Sequence, residues 1–185
     1  MRRILVLLPF FTIGCRSVPD ALVVDSRFTD IELAEIGSAV EEWHRATGSD
    51  IADPRVETGF EFDVASMDED DAFNGPEPFY VRRASVHDPV FTSIADLVGY
   101  SDMIAATYRH DGMILFREMY LLPNGEVDRA VLRGTVLHEL GHMFDLDDGD
   151  GALMSAFLAA PCIDQETLDG FCDLYACSGQ RATCP

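Results

Sequence analysis

Two periods of apolar residue run through the chain, one near 3.6 and one of 2, and their order sets out the predicted elements. Between Thr29 and Gly48 the residues Leu33, Ile36, Val40 and Trp43 recur at the spacing of one helix face. Thr29-Asp30-Ile31-Glu32 precedes them as a capping box, its hydroxyl and carboxylate satisfying free backbone amides, which predicts a helix from about Asp30 to Ala46, ended near Gly48. From Val56 to Val64 the period shortens: Phe60, Phe62 and Val64 fall on one side and Glu61 and Asp63 on the other, as in a half-buried strand. Phe79 to Val86 is a second strand candidate. Gly112-Met113-Ile114-Leu115-Phe116 is a third, separated from the next element by the turn Pro123-Asn124-Gly125. Val90 to Tyr108 has mixed spacing and no caps and is assigned to no element. Asp128 to about Phe144 reads as a helix capped by Asp128, with Val131, Leu132, Val136 and Leu140 on its apolar faces, and the Asp- and Gly-rich run Asp145 to Gly151 ends it. A last helix, from about Asp164 to Ala176, sets Leu168, Phe171, Cys172 and Tyr175 on one face. The class is therefore α+β.

With 185 residues, one domain with a full core is expected. Met1-Arg2-Arg3 and the apolar run Ile4 to Ile13 form a charged start and a stretch too short to span a bilayer, the pattern of an export signal. Thr12-Ile13-Gly14-Cys15 resembles a bacterial lipobox, which implies cleavage before Cys15 and lipidation of that cysteine; the alternative is an ordinary signal peptide cut a few residues later. The division expected is a signal over 1–14, a leader over 15–27, of which Val18 to Arg27 links anchor to domain, and the main folded domain over 28–185. The protein is expected on the outer membrane or cell surface, and otherwise in the periplasm or medium.

The other cysteines, Cys162, Cys172, Cys177 and Cys184, crowd the C-terminal end. In an exported chain they predict two disulfides, with all three pairings open, stapling a segment that has little core of its own. A second zinc site is the weaker reading, because the sequence has no CxxC.

Charge narrows the choice of partners. There are 33 acidic residues against 13 basic ones, all arginine, for a net charge of −20. Phosphates and anionic lipid surfaces would repel such a chain, so nucleic acid is excluded and membrane contact is expected through the lipid alone. The acidity is read as a solvated surface. Ser66 to Pro78, with Asp68, Glu69, Asp70 and Asp71, is a surface loop; its carboxylates also suit calcium, but solvation is the simpler account.

The chemistry centres on His138-Glu139-Leu140-Gly141-His142. On a helix, histidines four residues apart project from one face about one turn apart, close enough to hold one metal ion. Neutral imidazoles leave zinc strongly Lewis acidic, able to bring the pKa of bound water to about 7, and a neighbouring carboxylate can take the proton. Glu139 is that general base. For this composition an HExxH arises by chance about once in a hundred chains, so the setting has to add weight.

A catalytic zinc takes three protein ligands, and the continuation Met143-Phe144-Asp145-Leu146-Asp147-Asp148, then Gly151-Ala152-Leu153-Met154-Ser155, resembles the metzincins. In that clan the helix breaks at a glycine, a third ligand follows three residues later, and a methionine turn lies beneath the metal. The resemblance implies Asp148 as third ligand, as in the snapalysins, with Met154 packing under the histidines as in the matrixins. It implies a compact domain with a mixed, mostly parallel sheet, an N-terminal helix, a zinc-binding helix and a C-terminal helix. It also implies endopeptidase action on exposed protein or peptide by a monomer. By the same resemblance Gly112 to Phe116 would be the edge strand that pairs with substrate, while its unbroken apolarity equally suits a buried central strand. Asp145 departs from the family, standing where glycine makes the helix exit, and this leaves Asp147 as an alternative ligand.

Other readings use the same residues differently. Asp169 or Glu166, in Glu166-Thr167-Leu168-Asp169, lies downstream where aspzincins and gluzincins carry their third ligand. A lipid-anchored binding domain with a vestigial zinc site would need no Glu139. No cysteine other than Cys15 precedes the first helix, so no cysteine-switch zymogen is expected.

Overall fold

A computed structural model describes residues 20–60, 78–84, 104–108, 112–117, 120–155, 161–175, 177 and 180–184. The expected signal, Cys15, the acidic loop and Glu61 to Val64 lie outside the described residues. Five strands, β1 (Ala21–Asp25), β2 (Arg55–Phe60), β3 (Phe79–Ala84), β4 (Ala105–Tyr108) and β5 (Met113–Arg117), form one sheet in the order β2-β1-β3-β5-β4. The pairings of β1 with β2, β1 with β3 and β3 with β5 are parallel, and β4 runs antiparallel to β5. The sheet is thus mixed and mostly parallel, as expected.

One expectation is corrected here. The segment taken as a leader contains β1, whose five residues are all buried between β2 and β3. Ala21-Leu22-Val23-Val24 lacks the polar alternation of a half-exposed strand because a central parallel strand is covered on both faces. The fold therefore begins before residue 28. A second expectation is settled by strand order: β5, which includes Met113 to Phe116, lies between β3 and β4 and is no edge. Among the described residues the edges are β2 and β4, the latter from the stretch that periodicity could not assign.

Three helices were found among the described residues. In α1 (Asp30–Thr47) the capping box forms as read: the Thr29 amide donates to Glu32 Oε2 (2.6 Å), the Glu32 amide donates to Thr29 Oγ1 (3.4 Å), and Gly48 closes the helix in a left-handed conformation. Glu32 is buried, so its charge needs more partners than the cap; Tyr120 donates to Oε1 (2.6 Å) and Arg83 approaches Oε2 (3.5 Å). Ile36, Ala39, Val40, Trp43 and Ala46 face the core.

In α2 (Arg129–Met143) Asp128 accepts from the Val131 amide, and Leu132, Val136, Leu137 and Leu140 turn inward. The two helices share one hydrophobic core with Leu22, Val24, Phe79, Val81, Ile114 and Phe116 of the sheet. Polar links also pin them to each other: Trp43 Nε1 donates to the carbonyl of Leu137 (3.0 Å), and Arg133 donates to Ser38 Oγ (2.6 Å) and pairs with buried Glu42.

The last helix, α3 (Gln165–Leu174), buries Leu168 and Phe171 and sets Phe171 edge-to-face against Phe144 (5.4 Å) and tilted against Trp43 (5.6 Å). Of the three cysteine pairings the structure has Cys162–Cys184 and Cys172–Cys177. The first closes the C-terminal strand of chain against α1, where the Arg181 amide donates to Ala46 and the Thr183 hydroxyl to Glu42. Two disulfides place the chain with proteins that mature in an oxidising compartment. No helix of the described residues is long and apolar enough to cross a membrane.

Candidate metal centre

The last two turns of α2 carry His138, Glu139 and His142, and the helix exit decides what faces them. Asp145 adopts a left-handed conformation, φ 67°, in the place where the resemblance called for glycine. Aspartate is among the few residues that take this region at modest cost. The exit is a Schellman motif: the Asp145 amide donates to the carbonyl of His142 (3.0 Å) and the Leu146 amide to that of Gly141 (3.0 Å), while the Leu146 side chain is buried. The departure from glycine leaves the turn intact.

That turn delivers two groups to the histidines. The carbonyl of Leu146 lies 2.9 Å from His142 Nδ1, and Asp148 lies above both rings, its Oδ1 3.4 Å from His142 Nε2 and 3.6 Å from His138 Nε2. His138 Nδ1 lies 2.9 Å from the carbonyl of Leu153. A carbonyl can only accept, so each Nδ1 carries a hydrogen, and the Nε2 atoms, whose lone pairs are available in the neutral rings, face the space shared with Asp148. This is the backbone support that metal-binding histidines use to fix ring orientation.

Donor atoms of His138, His142 and Asp148 all lie within 4.8 Å of one another, the one such group found among the described residues. Two ligands at the usual zinc distance of about 2.1 Å in tetrahedral geometry stand about 3.4 Å apart, close to the His–Asp separations seen here. The donor set fits a divalent ion of borderline softness. Asp148 is 60% exposed, so the site opens to solvent on its side. Asp147, the alternative, instead gives its amide to Asp150 Oδ2 (2.7 Å) and is outside the donor group, as are Glu166 and Asp169; Asp169 accepts from Gln165 on the surface of α3.

Beneath the histidines Met154 is fully buried. A Cβ on Gly141 would collide with Met154 Sδ and stand 3.0 Å from its Cε and 3.5 Å from Trp43 Cζ2, so any larger residue there obliges the buried end of Met154 to move. The segment carrying Met154 is held by Asp164, the cap of α3, which accepts from the Leu153 amide (2.8 Å), the Thr167 hydroxyl (2.7 Å) and the first-turn amides of α3. Burial pushes the Asp164 carboxyl up, but these donors outweigh it and hold it below the ordinary carboxylate value of 3.8. Leu153 thus joins Asp164 to His138 through its own amide and carbonyl.

Glu139 is buried, and its Oε2 accepts from the Thr107 hydroxyl at 2.6 Å. Burial drives its pKa up to about 7, against the lowering pull of His138 and of the Thr107 bond. A cation at the histidines would draw it down again. Thr107 and Asp164 are the supporting residues that pattern reading missed. Thr107 belongs to β4, whose four residues are too few for a period, and Asp164 carried only the signal of a helix cap. No family model matches the chain, and no curated protein matches it.

Proposed function

We propose that this chain is a zinc-dependent endopeptidase of metzincin type. The observation that carries the reading is the convergence of His138, His142 and Asp148 on one space with Glu139 buried beside them. A binding site needs the three donors alone; a hydrolytic one also needs a carboxylate held next to water. The left-handed helix exit at Asp145, the buried Met154 and the antiparallel edge strand beside α2 add support for the metzincin assignment.

His138, His142 and Asp148 would hold the ion. When bound, zinc supplies Lewis acidity towards a carbonyl oxygen and towards water. Glu139 takes the proton from the attacking water, passes it to the departing amine, and returns to its starting state. β4 is an edge of the sheet among the described residues, so the pairing with an extended peptide weighed for Gly112 to Phe116 is proposed instead for Ala105 to Tyr108. The substrate is an exposed peptide or protein segment outside the cytoplasm, and Cys15, if lipidated, would tether the enzyme at the membrane.

Two measurements test this. Protein stripped with a chelator loses peptide cleavage and regains it with zinc. His138→Ala, His142→Ala and Asp148→Ala each weaken zinc binding, whereas Asp169→Ala leaves it unchanged; loss of zinc in Asp169→Ala alone would overturn the ligand set.

A further inference from the structure

Among the described residues the hydroxyl of Thr107 is the one hydrogen-bond donor to the Glu139 carboxylate. It donates to Oε2 at 2.6 Å and lies 3.2 Å from the backbone carbonyl of the same residue. A hydroxyl has a single hydrogen, and the shorter, charge-assisted contact is the one to the carboxylate. Oε2 is thereby occupied, and among the described residues Oε1 has no hydrogen-bond partner.

We infer that Thr107 is a positioning residue: it fixes the rotamer of Glu139 so that Oε1 faces the reacting water, and it ties the general base to the strand on which substrate would lie. The inference rests on the peptidase reading above. A glutamate side chain has three rotatable bonds and loses substantial rotamer freedom when held, so a buried base needs an anchor to stay aimed. The helix supplies none on the side of Oε2, and β4 supplies it from the sheet. Because Thr107 sits in the edge strand, with Ala106 and Tyr108 as its neighbours in pairing with β5, a shift of that strand on peptide binding would pass directly to Glu139.

The test compares Thr107→Val, which keeps shape and removes the hydroxyl, with Thr107→Ser, which keeps the hydroxyl. A displacement of about 1 Å in a catalytic group costs on the order of 100-fold, so Thr107→Val is expected to lower kcat by about 10- to 100-fold, with KM and zinc affinity within about twofold of wild type. Thr107→Ser is expected to recover most of the rate. Crystal structures of the zinc-loaded variants give a readout that needs no activity: Glu139 leaves its position in Thr107→Val and keeps it in Thr107→Ser. Wild-type kcat in Thr107→Val, equal impairment of the two variants, or an unmoved Glu139 in Thr107→Val would each overturn the inference. If wild-type protein binds zinc and cleaves no peptide, the peptidase reading fails, and the two crystal structures still decide whether Thr107 aims Glu139.

Discussion

Single residues set the site through backbone contacts as much as through side chains. Gly141 shows the balance. Alanine there would gain about 1 kcal/mol of helix propensity, but its methyl would enter the space of Met154, which is backed by Trp43, and overpacking of a filled core costs about 1–3 kcal/mol. Gly141→Ala is therefore expected to lose about 1 kcal/mol net by urea unfolding of the metal-free protein; a gain would mean that Met154 has room to move. Asp164 makes a different prediction, of pH dependence. Its folded pKa lies below the ordinary 3.8, so its contribution is complete above that value and disappears as pH falls through the depressed one. Urea midpoints of wild type should drop below pH 4 more steeply than those of Asp164→Asn, which should start lower and change less. Parallel curves would remove Asp164 from the acid response. Asp25, also lowered against its burial by the amide and guanidinium of Arg27, adds to the same fall in wild type and variant alike.

At the scale of elements, what the sequence revealed depended on length and exposure. The helices were legible because each has three or more turns, or a cap, and one wet face: Thr29 and Asp128 cap α1 and α2 where the pattern set them, and Asp164, read only as the start of the last helix, caps α3. β1 was missed because a strand covered on both faces has no alternation, and next to an export signal its apolar run looked like linker. β4 was missed because four residues carry no period, and its partner β5 was offered the edge position in its place. Of the candidate donor group, His138 and His142 followed from their spacing and Asp148 from the family resemblance, whereas Thr107 comes from a strand whose place beside α2 depends on the pairing of the whole sheet. Cysteine pairing was equally invisible, since chain proximity does not rank three options. The pairing found here has an energetic consequence. Cys162–Cys184 closes a separation of 22 residues and Cys172–Cys177 one of 5. Loop entropy then gives about 3 kcal/mol for the first and about 2 kcal/mol for the second. Replacing Cys162 and Cys184 by serine should therefore lower the urea stability more than replacing Cys172 and Cys177, and the reverse order would show that strap and helix are held by other means.

For the molecule as a whole, the three helices and the mixed sheet enclose one core in which Trp43, Phe144, Met154 and Phe171 are buried, while Asp148, beside the two histidines, stays open to solvent. The net charge of −20 disfavours phosphate-bearing partners by repulsion, in keeping with the peptide substrate proposed above. The account stands or falls on Glu139 acting on water. The most direct test is kcat/KM for peptide cleavage by zinc-loaded wild type and zinc-loaded Glu139→Gln, with zinc content measured on the same samples. We expect about one zinc per chain in both and a rate lower in the variant by about 100- to 10,000-fold. A zinc-loaded wild type that cleaves nothing across a broad peptide library, or a Glu139→Gln variant as active as wild type, would contradict it.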